Sequence, residues 1–213
     1  MGGGGPTDGK TLAVLNDTDQ IELWDTRAIR LVSVLETRRA GVSSIRFSPN
    51  SRRLAVGYND SAVESWDLIA GSKTTLETGH KEEVRNLAFS SDGKRLTTTS
   101  FDTHMKLWDI EAGRELGKMG GQLIGFLSLA FSLDDRRLAA GGDDGAVTLW
   151  DVANPQPREI GKIKGHTNHV SHVSFLPDGD SLVSFDAAGL VCVWRAPSFA
   201  EIDAVDKAKA KGK

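Results

Sequence analysis

The sequence predicts an all-β chain built as an array of about five similar units. The first observation is the spacing of its five tryptophans, which follow one another at intervals of 42, 42, 42 and 44 residues. A fixed period in the forties indicates a repeat architecture. The second observation is that an aspartate follows each tryptophan except the last, Trp194, which Arg195 follows. The five tryptophans are Trp24, Trp66, Trp108, Trp150 and Trp194.

Other residue types keep the same register within each unit. Aspartate stands six residues before the second, third and fourth tryptophans, whereas Ala188 takes this place in the fifth unit. Phenylalanine stands 19 residues before each of the last four tryptophans, at Phe47, Phe89, Phe131 and Phe175. Because several residue types recur together, the units share one local structure.

The third unit shows what that local structure is. A first apolar run ends at Phe89, and residues 91–94 then form a turn, since Gly93 permits a positive φ and Asp92 favours local turns. Strands are predicted over residues 95–100, 105–109 and 114–119, which are rich in β-prone side chains. Four strands per period of about 42 residues is the arithmetic of a β-propeller blade.

Composition excludes several other classes of protein. The 213 residues are 39% hydrophobic, as in an ordinary globular chain, and the net charge of -3 argues against general nucleic-acid binding. The longest apolar stretch, residues 123–131, is far shorter than the about 20 residues of a membrane helix. Cys192 is the only cysteine, so no intrachain disulfide can form. We expect a cytoplasmic protein without cofactors, metal, membrane or nucleic-acid partners.

The motifs occur in a familiar order. Gly79-His80 lies 28 residues before Trp108, and Gly165-His166 lies 28 residues before Trp194. Gly-His, then Phe-Ser-x-Asp-Gly, then Trp-Asp resembles the WD-repeat (WD40) β-propeller family over about residues 8–196. The resemblance implies four-stranded antiparallel blades, usually seven of them. We therefore expect a WD40 propeller of about five blades.

The two ends of the array depart from this pattern. Gly5 stands where the other units have phenylalanine, and glycine is poor in strands. We expect residues 1–9 to be a truncated start that lacks the inner strand of the first blade, and residues 10–196 to be the array. Residues 197–213 are predicted to form a C-terminal helix or an outer strand with a Lys-rich tail. The chain would then be a fragment of a larger, seven-bladed propeller, the interpretation we favour; the alternatives are closure as five blades and pairing with another copy.

The resemblance also implies a buried structural tetrad in the third blade, formed by His80, Ser100, Asp102 and Trp108. A histidine, serine and aspartate in this order could suggest a hydrolase triad, but in this family they support the indole of the tryptophan. We expect only the third blade to complete the network. The corresponding positions are Arg38 and Tyr58 in the second repeat, Gln122 and Gly142 in the fourth, and His166, Asp186 and Ala188 in the fifth.

A partner-binding surface is implied by the same resemblance. Members of the family often bind partners on a top face formed by the third and fifth residues after the Gly-His histidine and by the residue before the turn aspartate. Alternatively, Phe101 or Leu127 packs between blades. The candidate residues are Glu83, Arg85, Phe101, Leu127, Asp143 and His169.

Two functions follow as expectations. The first is a non-enzymatic scaffold for protein–protein interaction. The second is a regulatory or sensor module detached from a larger bacterial signalling protein such as a serine/threonine kinase, because the stretch from Trp194 to Ser198 resembles the end of bacterial WD-repeat arrays. Self-association through the incomplete first blade is a further expectation. His166, His169 and His172 do not have the spacing of a tight metal site.

Overall fold

The computed structural model describes residues 9–37, 39–121 and 124–195, and within these ranges it contains 18 β-strands and no helix. The prediction of an all-β fold is confirmed. In chain order the strands are β1 (Thr11–Leu15), β2 (Ile21–Asp25), β3 (Arg30–Leu35), β4 (Val42–Phe47), β5 (Arg53–Tyr58), β6 (Val63–Asp67), β7 (Ser72–Leu76), β8 (Val84–Phe89), β9 (Arg95–Ser100), β10 (His104–Asp109), β11 (Arg114–Gly120), β12 (Phe126–Phe131), β13 (Arg137–Gly142), β14 (Ala146–Asp151), β15 (Arg158–Lys164), β16 (Val170–Phe175), β17 (Ser181–Asp186) and β18 (Val191–Arg195).

The strands of the described ranges form five antiparallel sheets, each made of consecutive strands. The second, third and fourth sheets have four strands each: β4–β7, β8–β11 and β12–β15. The first sheet contains β1–β3 and the fifth contains β16–β18. The predicted truncated start and C-terminal helix or strand fall almost entirely on residues 1–8 and 196–213, which lie outside the described residues.

The aspartate of each Trp-Asp pair turns the chain from the strand that carries the tryptophan into the next strand of the same sheet. In the second sheet, the Asp67 carboxylate accepts hydrogen bonds from the backbone amides of Ile69 at 3.0 Å and Ala70 at 2.9 Å. Asp25 and Asp109 make the same pair of bonds with the residues two and three positions later. An Asx turn of this kind needs a short side chain with an acceptor oxygen, which aspartate supplies at each of these positions.

Every sheet has two different apolar faces. We call the face with the tryptophan, and with the residues 10 and 12 positions before it, the leading face. The opposite face, with the residues one and three positions before the tryptophan, is the trailing face. Leu54 and Val56 on the leading face of the second sheet pack against Ile21 and Leu23 on the trailing face of the first. The same relation joins the second sheet to the third, the third to the fourth and the fourth to the fifth.

A β-bulge recurs in the first strand of the last four sheets. The pairing register shifts between Val84 and Asn86 in the third sheet and between Phe126 and Ser128 in the fourth. Equivalent shifts occur in β4 and β16. A bulge leaves one residue out of the ladder and redirects its side chain. In the third and fourth sheets these residues are Arg85 and Leu127.

Candidate functional site

A buried hydrogen-bonded relay crosses the third sheet. Nδ1 of His80 lies 3.0 Å from the Asp102 carboxylate, and Nε2 of His80 lies 2.8 Å from the Thr98 hydroxyl. The indole N–H of Trp108 donates to the same hydroxyl at 3.2 Å. Since the Thr98 oxygen accepts from Trp108, its own proton is available for His80, and His80 then carries its proton on Nδ1 towards Asp102. The chain of partners thus assigns one tautomer to the imidazole.

The hydroxyl of this relay belongs to Thr98, which corrects the predicted role of Ser100. Trp108 pairs with Leu96 across the ladder, so its indole reaches the next residue on the same face, Thr98. Ser100 lies two residues farther along the strand and donates instead to the backbone carbonyl of Glu82 at 2.9 Å. The residue expected from the sequence to supply the hydroxyl was therefore two positions away from the one that does, which is one side-chain period of a strand.

The fifth sheet contains a second relay, which the sequence interpretation missed. Nε2 of His166 lies 2.6 Å from the Ser184 hydroxyl, and the Trp194 indole donates to that hydroxyl at 2.8 Å. Nδ1 of His166 lies 3.3 Å from the Asp186 carboxylate. The fifth sheet thus has the same four kinds of group as the third, but Nδ1 of His166 and Oδ2 of Asp186 make no hydrogen bond within the described residues, so of the two relays only that of the third sheet is hydrogen-bonded at every link. Asp186 stands eight rather than six residues before Trp194, because it takes the strand position that Ser100 holds in the third sheet, whereas Ala188 takes the turn position of Asp102.

Burial and hydrogen bonding set the charges of the relay. Desolvation holds the pKa of His80 below its ordinary value, although Asp102 acts to raise it. Desolvation acts to raise the pKa of Asp102, but hydrogen bonds from the backbone amides of Lys81 and His104 and from His80 outweigh it and lower this pKa. A neutral imidazole beside a carboxylate is a stable arrangement. Since Thr98 is buried and its hydroxyl already has two partners, the relay supports the fold and offers no nucleophile to a substrate.

The tryptophan indoles of the second and fourth sheets lack the hydroxyl partner that the relays provide. Val56 and Ala140 stand where Thr98 stands in the third sheet, and the buried indole nitrogens of Trp66 and Trp150 have no hydrogen-bond partner among the described residues. In the second sheet, a separate network replaces the relay. Glu64 accepts from the Tyr58 hydroxyl at 2.8 Å and from Lys73 at 2.7 Å. The two relays therefore distinguish the third and fifth sheets.

A pocket of about 330 Å³ opens at the bulged end of the third and fourth sheets. It brings together five of the six residues that the sequence predicts for partner binding. Glu83 is not among its lining residues; this half-buried residue accepts a backbone hydrogen bond from Phe101 at 3.3 Å. The lining residues are Arg85, Ser100, Phe101, Thr103, Gly125, Phe126, Leu127, Asp143 and His169.

Local structure holds these side chains in place. The guanidinium of Arg85 lies over the ring of Phe101 at 4.2 Å from its centroid, and within the described residues it makes no hydrogen bond or salt bridge. Phe101 is 49% exposed. The Asp143 carboxylate accepts from the amide of Gly125 at 3.0 Å, an approach that a Cβ at Gly125 would crowd. The pocket thus combines a free cation, an exposed aromatic ring and a fixed carboxylate.

A larger pocket of about 490 Å³ lies elsewhere on the third and fourth sheets, but its charged groups are occupied. The Asp135 carboxylate accepts from the backbone amide and the hydroxyl of Ser91 at 2.6 and 2.7 Å. Arg95 donates to the backbone carbonyl of Val152 at 2.5 Å and lies over the ring of Phe131. These contacts fasten neighbouring sheets together, so the smaller pocket is the better candidate for binding.

Comparison with protein families gives a match over most of the array. The family described as WD40, "WD domain, G-beta repeat", matches residues 29–67, 71–109, 117–151 and 157–195. The chain belongs to the WD40 family. A comparison with curated proteins finds no match. The matched WD40 repeats end with Trp66-Asp67, Trp108-Asp109, Trp150-Asp151 and Trp194-Arg195, whereas β1 and β2 both lie before the first match.

The WD40 repeats are offset from the sheets. The first repeat contains β3 of the first sheet followed by β4, β5 and β6 of the second, and the second repeat likewise begins with β7. Each repeat therefore ties one sheet covalently to the next. In the ranges that the structure describes, no group of three or more histidine, cysteine, aspartate or glutamate side chains could hold a metal ion. The same ranges contain no helix long and apolar enough to cross a membrane.

Proposed function

We propose that this WD40 chain is a non-enzymatic cytoplasmic scaffold and that it captures a protein partner at the pocket of Arg85, Phe101, Leu127, Asp143 and His169. WD40 repeats generally mediate protein–protein interaction. The observation that carries the proposal is the convergence of these five residues on one pocket. The net charge of -3 fits a protein partner better than a nucleic acid.

The chemistry of the pocket favours one kind of partner segment. Arginine and aromatic residues are frequent anchors of interfaces, and Arg85 over Phe101 presents both in a single stack. An acidic side chain of the partner would pair with Arg85, and an apolar side chain would pack on Phe101 and Leu127. We therefore propose an exposed peptide segment that has an acidic residue close to an apolar one.

Quantitative affinity capture tests this proposal. The double variant Arg85→Ala/Phe101→Ala should lose the partner, whereas wild type should retain it. A matched control is Arg114→Ala/Leu133→Ala, which also removes one exposed arginine and one exposed apolar side chain. Equal capture by all three folded proteins would exclude the pocket as the interface.

The second proposed function is a regulatory module of a larger bacterial signalling protein such as a serine/threonine kinase. Its support is the resemblance of the sequence after Trp194 to the ends of bacterial WD-repeat arrays. Reading the genomic frame around the coding sequence tests it: a kinase domain in the same frame would favour the module, and a frame without an enzyme would exclude it.

Self-association through the first sheet is a separate proposal. Its support is the exposure of Leu12, Val14, Leu31 and Val34 on one face of that sheet. This association does not involve the pocket.

A further inference from the structure

The inner sheets establish a rule for how sheets of this chain pack. In all four interfaces between neighbouring sheets, a trailing face covers a leading face. The leucine 12 residues before each tryptophan marks the leading face. Its members in the last four sheets, Leu54, Leu96, Leu138 and Leu182, are all 0% exposed.

The first sheet has a leading face that no described sheet covers. Its marker leucine, Leu12, is 43% exposed although it has the same register as its four buried counterparts. Around it lies a concavity of about 420 Å³ lined by apolar groups of Leu12, Val14, Trp24 and Ile29. Leu12 therefore has the residue type and the register of a leucine at an interface between sheets, but it is exposed like a surface residue.

In the fifth sheet it is the trailing face that is exposed. Val191 and Val193 stand three and one residues before Trp194 on the trailing face, and they are 50% and 66% exposed. The residues three positions before the other four tryptophans, Ile21, Val63, Met105 and Val147, are at most 1% exposed. Phe185, which pairs with Val191, is exposed on the same face. An uncovered trailing face thus complements the uncovered leading face of the first sheet.

We propose that two copies of this chain associate head to tail, with the trailing face of the fifth sheet of one copy on the leading face of the first sheet of its partner. The proposal rests on the proposed self-association and adds the surface that the first sheet meets. A second copy is the occupant because it carries the same kind of face that covers the leading faces of the inner sheets. Covering these exposed apolar side chains is favourable because it removes their surface from water.

Head-to-tail contact is heterologous, since the two copies contribute different surfaces. We call the leading face of the first sheet the head and the trailing face of the fifth sheet the tail. Each copy has one of each, so two copies can close on each other through two equal interfaces, or more copies can extend the array. This geometry makes a prediction that no isologous dimer shares: a copy with a damaged head and a copy with a damaged tail can still form one intact interface.

The experiment measures mass by light scattering during gel filtration over a range of concentrations. Wild type should exceed the 22.9 kDa of one chain. Leu12→Glu damages only the head and Val193→Glu only the tail, and each variant alone should be monomeric. An equimolar mixture of the two should form a species of two copies. Leu133→Glu, which places the same charge at an exposed leucine outside both faces, should assemble like wild type.

The outcomes separate the alternatives. A monomeric wild type at every concentration rejects both self-association and the head-to-tail interface. Assembly of wild type with retained assembly of Val193→Glu leaves self-association but rejects head-to-tail contact. A mixture that stays monomeric also rejects it. If either glutamate variant fails to fold by circular dichroism, Leu12→Gln and Val193→Thr replace it, and the mixture must again recover two copies. None of these variants touches the pocket, so capture at Arg85 and Phe101 is scored independently.

Discussion

The hydroxyl of Thr98 lies 2.8 Å from Nε2 of His80, deep within the third sheet. This contact joins two segments 18 residues apart, the loop before β8 and the centre of β9. Because the same hydroxyl accepts the indole proton of Trp108, one oxygen links β9, β10 and the loop before β8. The stability of the third sheet therefore depends more on Thr98 than on the neighbouring Ser100.

Replacement of Thr98 tests this difference. Thr98→Val keeps the shape of the side chain but leaves His80 and Trp108 without their shared partner. An unpaired buried polar group costs about 1–3 kcal/mol, and we expect a loss in that range. Ser100→Ala removes a hydrogen bond to the carbonyl of Glu82 and a longer one from the amide of Asp102, both in the partly buried end of the strand, and should cost about 1 kcal/mol. Urea unfolding of both variants measures the two losses, and a larger loss for Ser100→Ala would contradict the assignment.

Two turn aspartates of equivalent position should differ in their contribution to stability. Asp102 accepts hydrogen bonds from His80 and from the amides of Lys81 and His104, so Asp102→Ala should cost several times more than Asp60→Ala. Asp60 forms a solvent-exposed salt bridge with Arg39, and such pairs contribute about 0–1 kcal/mol. Equal shifts of the two denaturation midpoints would refute this ranking.

The depressed pKa of His80 predicts a dependence of stability on pH. In the unfolded chain His80 takes up a proton near its ordinary value of 6.5, whereas in the folded chain it stays neutral to a lower pH. As the pH falls through 6.5, the unfolded state therefore binds more protons than the folded state, and the free energy of unfolding should fall as the pH decreases from 7 to 5. His80→Asn should flatten the decrease. Thermal melts of wild type and His80→Asn across this pH range measure the effect. An identical dependence of the melting temperature on pH in both proteins would contradict the lowered pKa of His80.

Within the predicted binding surface, Glu83 and Leu127 should behave differently. Leu127 occupies a bulge and lines the pocket, so Leu127→Arg should abolish partner capture because it removes the surface on which the apolar side chain of the partner packs and fills that space with a longer, charged side chain. Glu83 is outside the lining, and Glu83→Ala should change capture less than twofold. Loss of capture by both variants would show that the interface is wider than the pocket.

The strand pattern could be predicted from sequence because turn residues mark the ends of strands. The prediction for residues 95–100 coincides with β9, and those for residues 105–109 and 114–119 each miss one residue of β10 and β11. Gly93 and Asp92 fix the turn before β9 locally. Convergence of Arg85, Phe101 and Leu127 followed from the repeat register together with the family resemblance.

The relays could be predicted only in part. Which hydroxyl meets His80 depends on the register across β9 and β10, and a sequence count does not fix it to within one side-chain period. In the fifth sheet the carboxylate belongs to Asp186, at the end of β17 where the third sheet has Ser100, so a count based on Asp102 misses it. Arg95 and Arg137 were missed although both stand 13 residues before a tryptophan; they fasten neighbouring sheets through backbone carbonyls.

Photo-crosslinking tests the central claim, capture of a protein partner at the pocket, most directly. A benzophenone amino acid replaces Phe101 in one protein and Ile69, which is exposed on the second sheet, in another. After irradiation in cells, we predict a discrete covalent adduct from position 101 that is absent from position 69 and is lost when Leu127→Arg is added. Adducts from position 69 alone, or an adduct at position 101 that Leu127→Arg leaves unchanged, would contradict the account.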